Sequence, residues 1–123
     1  VAQLPTLRVP VGESTATGRC TFTRPQTLVG YLPHMHLTGT HAKVVLHTGG
    51  QDIVVHDQPY VIDQQIWYDF PAVQVQAGDY FDYACTFQNT TGKVIYYGEE
   101  IEQEMCMIGV TRYPGGGDLN CLR

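Results

Sequence analysis

The sequence predicts an all-β fold, an antiparallel β-sandwich of the jelly-roll kind, and three observations support this. Short segments rich in β-branched and aromatic residues recur at intervals of about 8–12 residues. Clusters of Gly, Pro, Asn and Asp separate these segments, as tight turns require. No long segment has a helical period with caps, and residues 99–104 (EEIEQE) are the one helix candidate, about one turn long.

The predicted strands follow one another between residues 27 and 113. They are residues 27–32, 42–47, 51–56, 65–70 and 79–88, a segment that begins at Lys93, and residues 105–113. Thr48-Gly49-Gly50 predicts a hairpin turn, and residues 89–92 (NTTG) predict a second turn. Four apolar side chains of segment 79–88 share one face, the alternation typical of a half-buried strand: Phe81, Tyr83, Cys85 and Phe87. Residues 114–123 are expected to be irregular.

Length and composition predict one domain over residues 1–123, with a mass of 13.7 kDa. The hydrophobic share of 43% and the charged share of 15% are typical of a globular chain. The net charge of −5 argues against nucleic acid or an anionic membrane as a partner, because both bind basic surfaces. No apolar run approaches the roughly 18 residues of a membrane span. The chain begins with Val1 and has no signal peptide, so we expect a processed protein or a piece of a longer one.

The cysteines predict disulfides and an oxidising compartment. None of the four forms the close pair that a structural zinc site usually contains: Cys20, Cys85, Cys106 and Cys121. Four paired cysteines allow three connectivities, which the spacing alone does not distinguish. Two disulfides indicate a secreted, periplasmic or cell-surface location. The tripeptide Asn89-Thr90-Thr91 is an acceptor for N-glycosylation in a eukaryotic secretory host.

The segment LPHMHLTGTH, residues 32–41, carries the strongest signal for chemistry. On a strand, His34 and His36 point to the same face, so both imidazoles can reach one metal ion. The alternative is two histidines on a polar sheet face, bonded to neighbours or to water. The other histidines are expected to be ordinary surface or turn residues: His41, His47 and His56. His41 follows a short turn and could still be a ligand of the same metal.

A two-histidine site needs a third ligand, and the type of that ligand decides the metal. A cupin site would have Glu soon after the histidine pair and a later His, but His41 occupies the first position and no histidine follows His56. A blue-copper site requires a free cysteine thiolate, which paired cysteines remove. The remaining soft ligands are the thioethers of Met35, Met105 and Met107. Two imidazoles and one thioether would hold a three-coordinate copper with an open position for oxygen.

Three segments together resemble a known family. HMHLTG from His34, Glu104-Met105-Cys106 with the distant Cys85, and the closing TRYPGGGDLNC occur in this order. They resemble the C-terminal, catalytic half of the copper type II, ascorbate-dependent monooxygenases. That family includes dopamine β-monooxygenase and peptidylglycine α-hydroxylating monooxygenase. The resemblance covers roughly Cys20 to Cys121, which is most of the chain.

The resemblance implies one oxygen-binding copper per chain, held by His34, His36 and Met105. Met107 shares a strand face with Met105 and is the competing thioether. We prefer Met105 because it directly precedes a cysteine that the family pairs in a disulfide.

The resemblance also implies the disulfide pairing, Cys85 with Cys106 and Cys20 with Cys121. The first pair would close a loop of about 20 residues, worth on the order of 3 kcal/mol in the chain-entropy model. It would also fix the backbone next to Met105.

The sequence departs from the family in two respects. The two-domain enzymes carry a second copper in an N-terminal half with three histidines, which delivers an electron, and this sequence has no counterpart of that half. The peptide-amidating members hold their substrate with Arg, Asn and Tyr side chains. The matching positions here are Leu32, Met107 and Gly109, so peptide amidation is not implied. A catecholamine substrate is not implied either.

The resemblance implies an oxidoreductase that uses dioxygen to hydroxylate a C–H bond of a small organic substrate. The electrons would come from ascorbate, from a donor protein or from an N-terminal domain that this sequence lacks. The alternative function is a non-catalytic copper-binding carrier or structural module. A third possibility is a disulfide-stapled sandwich with no metal. The sequence leaves open whether this chain alone is an enzyme.

Overall fold

The computed structural model describes residues 2–114 and 121–122, and these residues confirm the predicted all-β class. They contain one 3₁₀ turn, Ile62–Gln64, and the following strands: β1 (Ala2–Gln3), β2 (Arg8–Val9), β3 (Gly12–Thr21), β4 (Gln26–His34), β5 (Gly39–Thr48), β6 (Gln51–Pro59), β7 (Tyr68–Val75), β8 (Tyr80–Asn89), β9 (Ile95–Tyr96), β10 (Met107–Tyr113) and β11 (Cys121–Leu122). Within this part of the chain, no helix is long and apolar enough to cross a membrane.

Two main sheets form the sandwich. The first has the strand order β11-β1-β10-β4-β7 and the second has the order β3-β8-β5-β6, while β2 and β9 form a small third sheet. The named strands pair antiparallel except for β1 with β11. Buried side chains from both main sheets form one apolar core, among them Leu28, Ile108, Leu46 and Phe87. Burial of this core is the main force that holds the two sheets together.

One disulfide joins the two main sheets. Cys85 of β8 is bonded to Cys106, which directly precedes β10. This confirms one of the two predicted pairings. The other pairing, Cys20 with Cys121, involves a side chain outside the described residues and stays a prediction.

The clearest sequence patterns are confirmed. All four side chains predicted to share a face of β8 are buried: Phe81, Tyr83, Cys85 and Phe87. The β5–β6 hairpin closes through Gly49 and Gly50, between the paired residues Thr48 and Gln51. Both glycines have positive φ angles, 58° and 74°, as a two-residue turn of type I′ requires.

The longest strand that the sequence did not predict is β3. Its sequence, GESTATGRCT, alternates between half-buried and exposed positions, and only Cys20 in it is buried. A polar strand of this kind has no apolar period to detect. Its position comes from tertiary pairing, because all ten of its residues pair with β8. The short strand β11 was also unpredicted, because residues 114–123 were expected to be irregular.

Several predicted segments have different bounds or a different structure. β10 begins at Met107, so Met105 and Cys106 of the predicted segment 105–113 precede the strand. Residues 65–67 precede β7, and the segment from Lys93 contributes only the two residues of β9. Residues 99–104 form a turn, so the helix candidate was wrong. The turn is closed by bonds from Gln103 N to Glu100 O at 2.9 Å and from Gly98 N to Glu104 O at 3.2 Å. These bonds draw the segment into a compact loop rather than a helix.

The predicted glycosylation acceptor, Asn89, is an internal hydrogen-bonding centre. Its side chain is only 1% exposed. Its Nδ2 donates to Val9 O at 3.2 Å and to Lys93 O at 2.7 Å. Its Oδ1 accepts from the backbone nitrogen of Thr91 at 3.0 Å and from the hydroxyl of Thr91 at 2.7 Å. The folded chain therefore has no space for a glycan on Nδ2.

We predict that Asn89→Ala lowers the free energy of unfolding by about 1–3 kcal/mol, because it leaves buried carbonyl oxygens without donors. Gln88→Ala, on the neighbouring exposed side chain, is the matched control and should change it by less than about 0.5 kcal/mol. Urea denaturation followed by circular dichroism measures both variants. Equal midpoints for the two variants would contradict the role assigned to Asn89.

Candidate metal centre

The two histidines of the HxH motif lie together at one end of the first sheet. His34 is the last residue of β4, and His36 lies between β4 and β5. Their ring centroids are 5.2 Å apart, with an angle of 78° between the ring planes. His34 is half-buried and His36 is 5% exposed. The rings are close enough for one small ion to contact both.

Each imidazole is held through Nδ1 by a carbonyl oxygen. His34 Nδ1 lies 2.9 Å from the side-chain Oε1 of Gln65, and His36 Nδ1 lies 2.8 Å from the backbone oxygen of Gln103. A carbonyl oxygen only accepts, so both Nδ1 atoms carry the proton and donate it. The lone pair of each ring is then on Nε2. This is the arrangement that proteins commonly use to orient a metal-binding histidine.

The two candidate thioethers lie across from the histidines. Met107 of β10 pairs with His34 of β4, and directly paired residues of antiparallel strands project to the same face. Met105 precedes β10 and His36 follows β4, so the ladder does not include them, but their backbone nitrogens bond to the same oxygen, Oε1 of Glu104. Both methionines are half-buried. The strand pairing therefore places the backbone of Met107 beside that of His34, and the bonds of Glu104 place the backbone of Met105 near that of His36.

Glu104 connects the segment of the histidines to the segment of Met105. Its side chain is fully buried, at 0% exposure. Its Oε1 accepts from the backbone nitrogens of His36 at 2.8 Å and of Met105 at 3.1 Å. Its Oε2 accepts from the backbone nitrogen of Thr38 at 2.8 Å and from the hydroxyl of Thr38 at 2.6 Å. One carboxylate thus fixes the backbone at both sides of the candidate site.

The third methionine, Met35, points away from the site into the core. It is fully buried, and its backbone nitrogen and oxygen both bond to the hydroxyl of Tyr60, at 3.1 Å and 2.6 Å. Burial raises the pKa of this phenol above its ordinary value. A Cβ at Gly39 would lie 2.6 Å from Cβ of Met35. The glycine of HMHLTG therefore makes room for the methionine between the two histidines.

The other three histidines are engaged elsewhere. His41 Nε2 bonds to Asp57 Oδ1 at 2.6 Å, and this bond lowers the pKa of the aspartate. His47 Nδ1 bonds to Asp52, and its Nε2 lies 3.3 Å from Asp82 Oδ2.

His56 was expected at the surface, and that expectation was wrong. It is 4% exposed, its Nδ1 lies 3.1 Å from the hydroxyl of Tyr31, and its ring packs against Tyr31 and Tyr68. Burial lowers its pKa below the ordinary value, because the charged form is poorly solvated there.

The donor set fits a soft metal. In residues 2–114 and 121–122, no group of three or more His, Cys, Asp or Glu side chains could hold an ion. Two imidazole nitrogens and a thioether sulfur suit copper, and Cu(I) in particular.

The sequence did not identify the groups that orient these ligands. The contact of Glu104 with His36 spans 68 positions, and the contact of Gln65 with His34 spans 31. Glu104 was noted only as part of a motif, and Gln65 carried no signal in the sequence.

One comparison with known proteins gives a match over most of the chain. The family described as copper type II ascorbate-dependent monooxygenase, C-terminal domain, matches residues 7–123. No curated protein matches the chain.

We predict that Glu104→Gln lowers the free energy of unfolding by about 3 kcal/mol. Gln keeps one accepting carbonyl oxygen but has an NH2 group, which donates, in place of the other oxygen, so two donors of the HxH loop or of Met105 lose their partner. Glu102→Gln is the matched control because Glu102 is exposed on the same loop. Chemical denaturation of the metal-free chain measures both variants. If Glu104→Gln were as stable as the control, the Glu104 carboxylate would not be what fixes the backbone at the two sides of the candidate site.

Proposed function

The chain belongs to the copper type II, ascorbate-dependent monooxygenases, as a C-terminal domain of that family, and we propose that it binds one copper ion through His34, His36 and Met105. We propose further that the bound copper supports hydroxylation of a C–H bond in a small organic substrate. The observation that carries the proposal is the pair of neighbouring imidazoles whose Nδ1 atoms are both held by carbonyl oxygens, which leaves both Nε2 atoms for one metal.

Met105 is the preferred thioether for two reasons. The carboxylate oxygen that holds the His36 backbone also holds the backbone nitrogen of Met105, so these two residues are fixed relative to each other. The disulfide at Cys106 restrains the next residue. Met107 lies inside the regular ladder opposite His34, where its backbone position is set by the strand pairing.

When bound, copper supplies the ability to activate dioxygen. The overall reaction would consume the substrate, dioxygen, two electrons and two protons, and would give the hydroxylated product and water. The chain's own residues would act by orientation. Gln65 and the backbone of Gln103 fix the imidazole rings, and Glu104 fixes the backbone that carries His36 and Met105. Partners of this kind fix the tautomer and the ring orientation of histidines that would hold a metal.

The electrons must come from outside the proposed site. The other three histidines are engaged with Asp57, with Asp52 and Asp82, and with Tyr31. We propose ascorbate, a donor protein or a further domain as the source. The Cys85–Cys106 disulfide fits an oxidising compartment, and we propose a secreted, periplasmic or cell-surface location.

We predict one Cu(I) per chain in an anaerobic titration against a chromogenic chelator. Met105→Ala should weaken Cu(I) binding by at least tenfold because it removes a soft ligand, and His34→Ala or His36→Ala should weaken it further. Met107→Ala is the matched control, since it removes a half-buried thioether two residues further along the chain.

A variant Met107→Ala that loses copper while Met105→Ala retains it would reassign the thioether. Unchanged Cu(I) affinity in both His34→Ala and His36→Ala would overturn the proposed copper site. Circular dichroism of each variant distinguishes a lost ligand from a lost fold.

The second candidate function is a copper-binding module that does not hydroxylate. It is favoured by the engagement of the three remaining histidines, because the second electron then has no route within the proposed site. We predict that ascorbate, copper and oxygen support only slow oxygen consumption by this chain, with less than one hydroxylated product per oxygen consumed. Oxygen-electrode and product assays on the chain and on Met105→Ala test this.

Oxygen consumption that is lost in Met105→Ala would count against a module that only binds copper. Tight coupling of oxygen consumption to one product would contradict the prediction that this chain turns over poorly.

A further inference from the structure

A polar cavity lies under the segment between β6 and β7, on the core side of β4. Its volume is about 140 Å³, and its walls come from the end of β6, from the segment that follows it and from Tyr68 of β7. Pro33 of β4 also lines the cavity and is buried. His34, the next residue, projects to the opposite face, because side chains alternate along a strand. The cavity therefore differs from the face that carries the His34 ring.

His56 contributes a buried imidazole to the wall of this cavity. Its Nδ1 lies 3.1 Å from the hydroxyl of Tyr31, and the same hydroxyl lies 3.2 Å from the backbone oxygen of Val55. The carbonyl oxygen only accepts, so the hydroxyl gives its one hydrogen to Val55 and accepts from Nδ1. The lone pair of His56 is therefore on Nε2, and no described residue donates a hydrogen bond to it.

This lone pair is available at neutral pH. Burial lowers the pKa of His56 below its ordinary value, because the charged imidazole is poorly solvated. The neutral ring stays fixed by Tyr31 at Nδ1 and by edge contacts with the rings of Tyr31 and Tyr68. A buried acceptor without a partner is costly, so a donor supplied from the cavity would be bound favourably.

Gln65 supplies the complementary donor to the same cavity. Its Oε1 accepts from His34 Nδ1 at 2.9 Å, while its amide nitrogen bonds to no described residue. An amide nitrogen has two hydrogens to donate and accepts nothing. The cavity wall thus has an acceptor on His56 and a donor on Gln65, both open to a bound molecule. Hydroxyl groups match both, because a hydroxyl donates one hydrogen bond and accepts others.

The cavity has no charged group that could hold an ion. None of the described residues that line it is Asp, Glu, Lys or Arg. Asp57, which follows His56, is exposed and bonded to His41. A charged molecule would lose solvation in the cavity and would find no opposite charge there. An uncharged ligand is therefore favoured.

We propose that this cavity is a binding site for a small uncharged molecule with hydroxyl groups, of the size of a three-carbon diol. One hydroxyl would donate to Nε2 of His56, and a hydroxyl would accept from the amide of Gln65. The carbon chain would lie against the apolar side chains of Pro33, Val61 and Ile66. A volume of 140 Å³ is several times the roughly 30 Å³ that one water occupies in the liquid, so the cavity has space for such a molecule.

The test uses three probes with one carbon chain and one secondary hydroxyl in common: propane-1,2-diol, lactate and 1-amino-2-propanol. The first is uncharged, the second is an anion and the third is a cation at neutral pH. Binding to the metal-free chain is followed through the NMR signals of the His56 ring nitrogens. Nuclear Overhauser contacts from the methyl group of each probe to the rings of His56 and Tyr68 give its position. Neither readout requires copper or turnover.

We expect propane-1,2-diol to shift the Nε2 signal and to give both contacts, and the two charged probes to bind at least threefold more weakly. His56→Phe should lower the affinity for the diol about three- to tenfold, the loss expected for one hydrogen bond. His56→Gln, which keeps an acceptor, should restore part of it. His41→Phe is the matched control, because His41 lies on β5 and does not line the cavity. Circular dichroism verifies the fold of each variant.

Three outcomes would overturn the proposal. A diol that leaves the His56 signals unchanged and gives no contact to either ring would mean that solvent alone fills the cavity. Lactate or 1-amino-2-propanol bound as tightly as the diol would contradict selection for an uncharged molecule. Equal diol affinities in folded His56→Phe and His41→Phe would remove His56 from the site. The copper titration is a separate measurement, so a failure of the proposed copper function would leave this inference intact.

Discussion

The buried carboxylate of Glu104 is the interaction on which the candidate site depends. Its two oxygens accept four hydrogen bonds, from the backbone of His36 and Met105 and from the backbone and hydroxyl of Thr38. None of these three residues lies in a regular strand, so no ladder fixes their backbone. A carboxylate in the protein interior forms stronger bonds than a neutral acceptor and is costly to leave unpaired. The Glu104 carboxylate and the bond from His36 Nδ1 to Gln103 O therefore hold the two segments to each other.

The disulfide extends this restraint to the second sheet. Cys106 is two residues beyond Glu104 and is bonded to Cys85 in the central part of β8. Met105 lies between these two fixed points. Its position is thus tied to the first sheet through Glu104 and to the second through the disulfide. A thioether is a weak ligand, and a fixed backbone lowers the entropy that its side chain loses when a metal binds.

The sequence was informative where one face of a strand is apolar and where a motif is local. The alternation in residues 79–88 predicted the buried face of β8, and two adjacent glycines predicted the β5–β6 hairpin. It was uninformative where tertiary contacts decide the structure. β3 is too polar to show a period, and residues 99–104 bend because their polar groups bond to one another and to the HxH loop. The histidine pair could be recognised as a local motif. Gln65 orients His34 but lies 31 residues away, and no local pattern marks it.

The loop between β6 and β7 connects the candidate metal centre to the neighbouring part of the first sheet. It crosses from the second sheet to the first, and it makes a separate contact at each of three positions. Tyr60 holds the backbone of Met35 between the two histidines, Gln65 holds the ring of His34, and Trp67 lies on Gly109. Because these contacts belong to one short segment, a shift of the indole would also move the group that orients a candidate ligand. The position of the indole and the orientation of the His34 ring are therefore mechanically coupled in this fold.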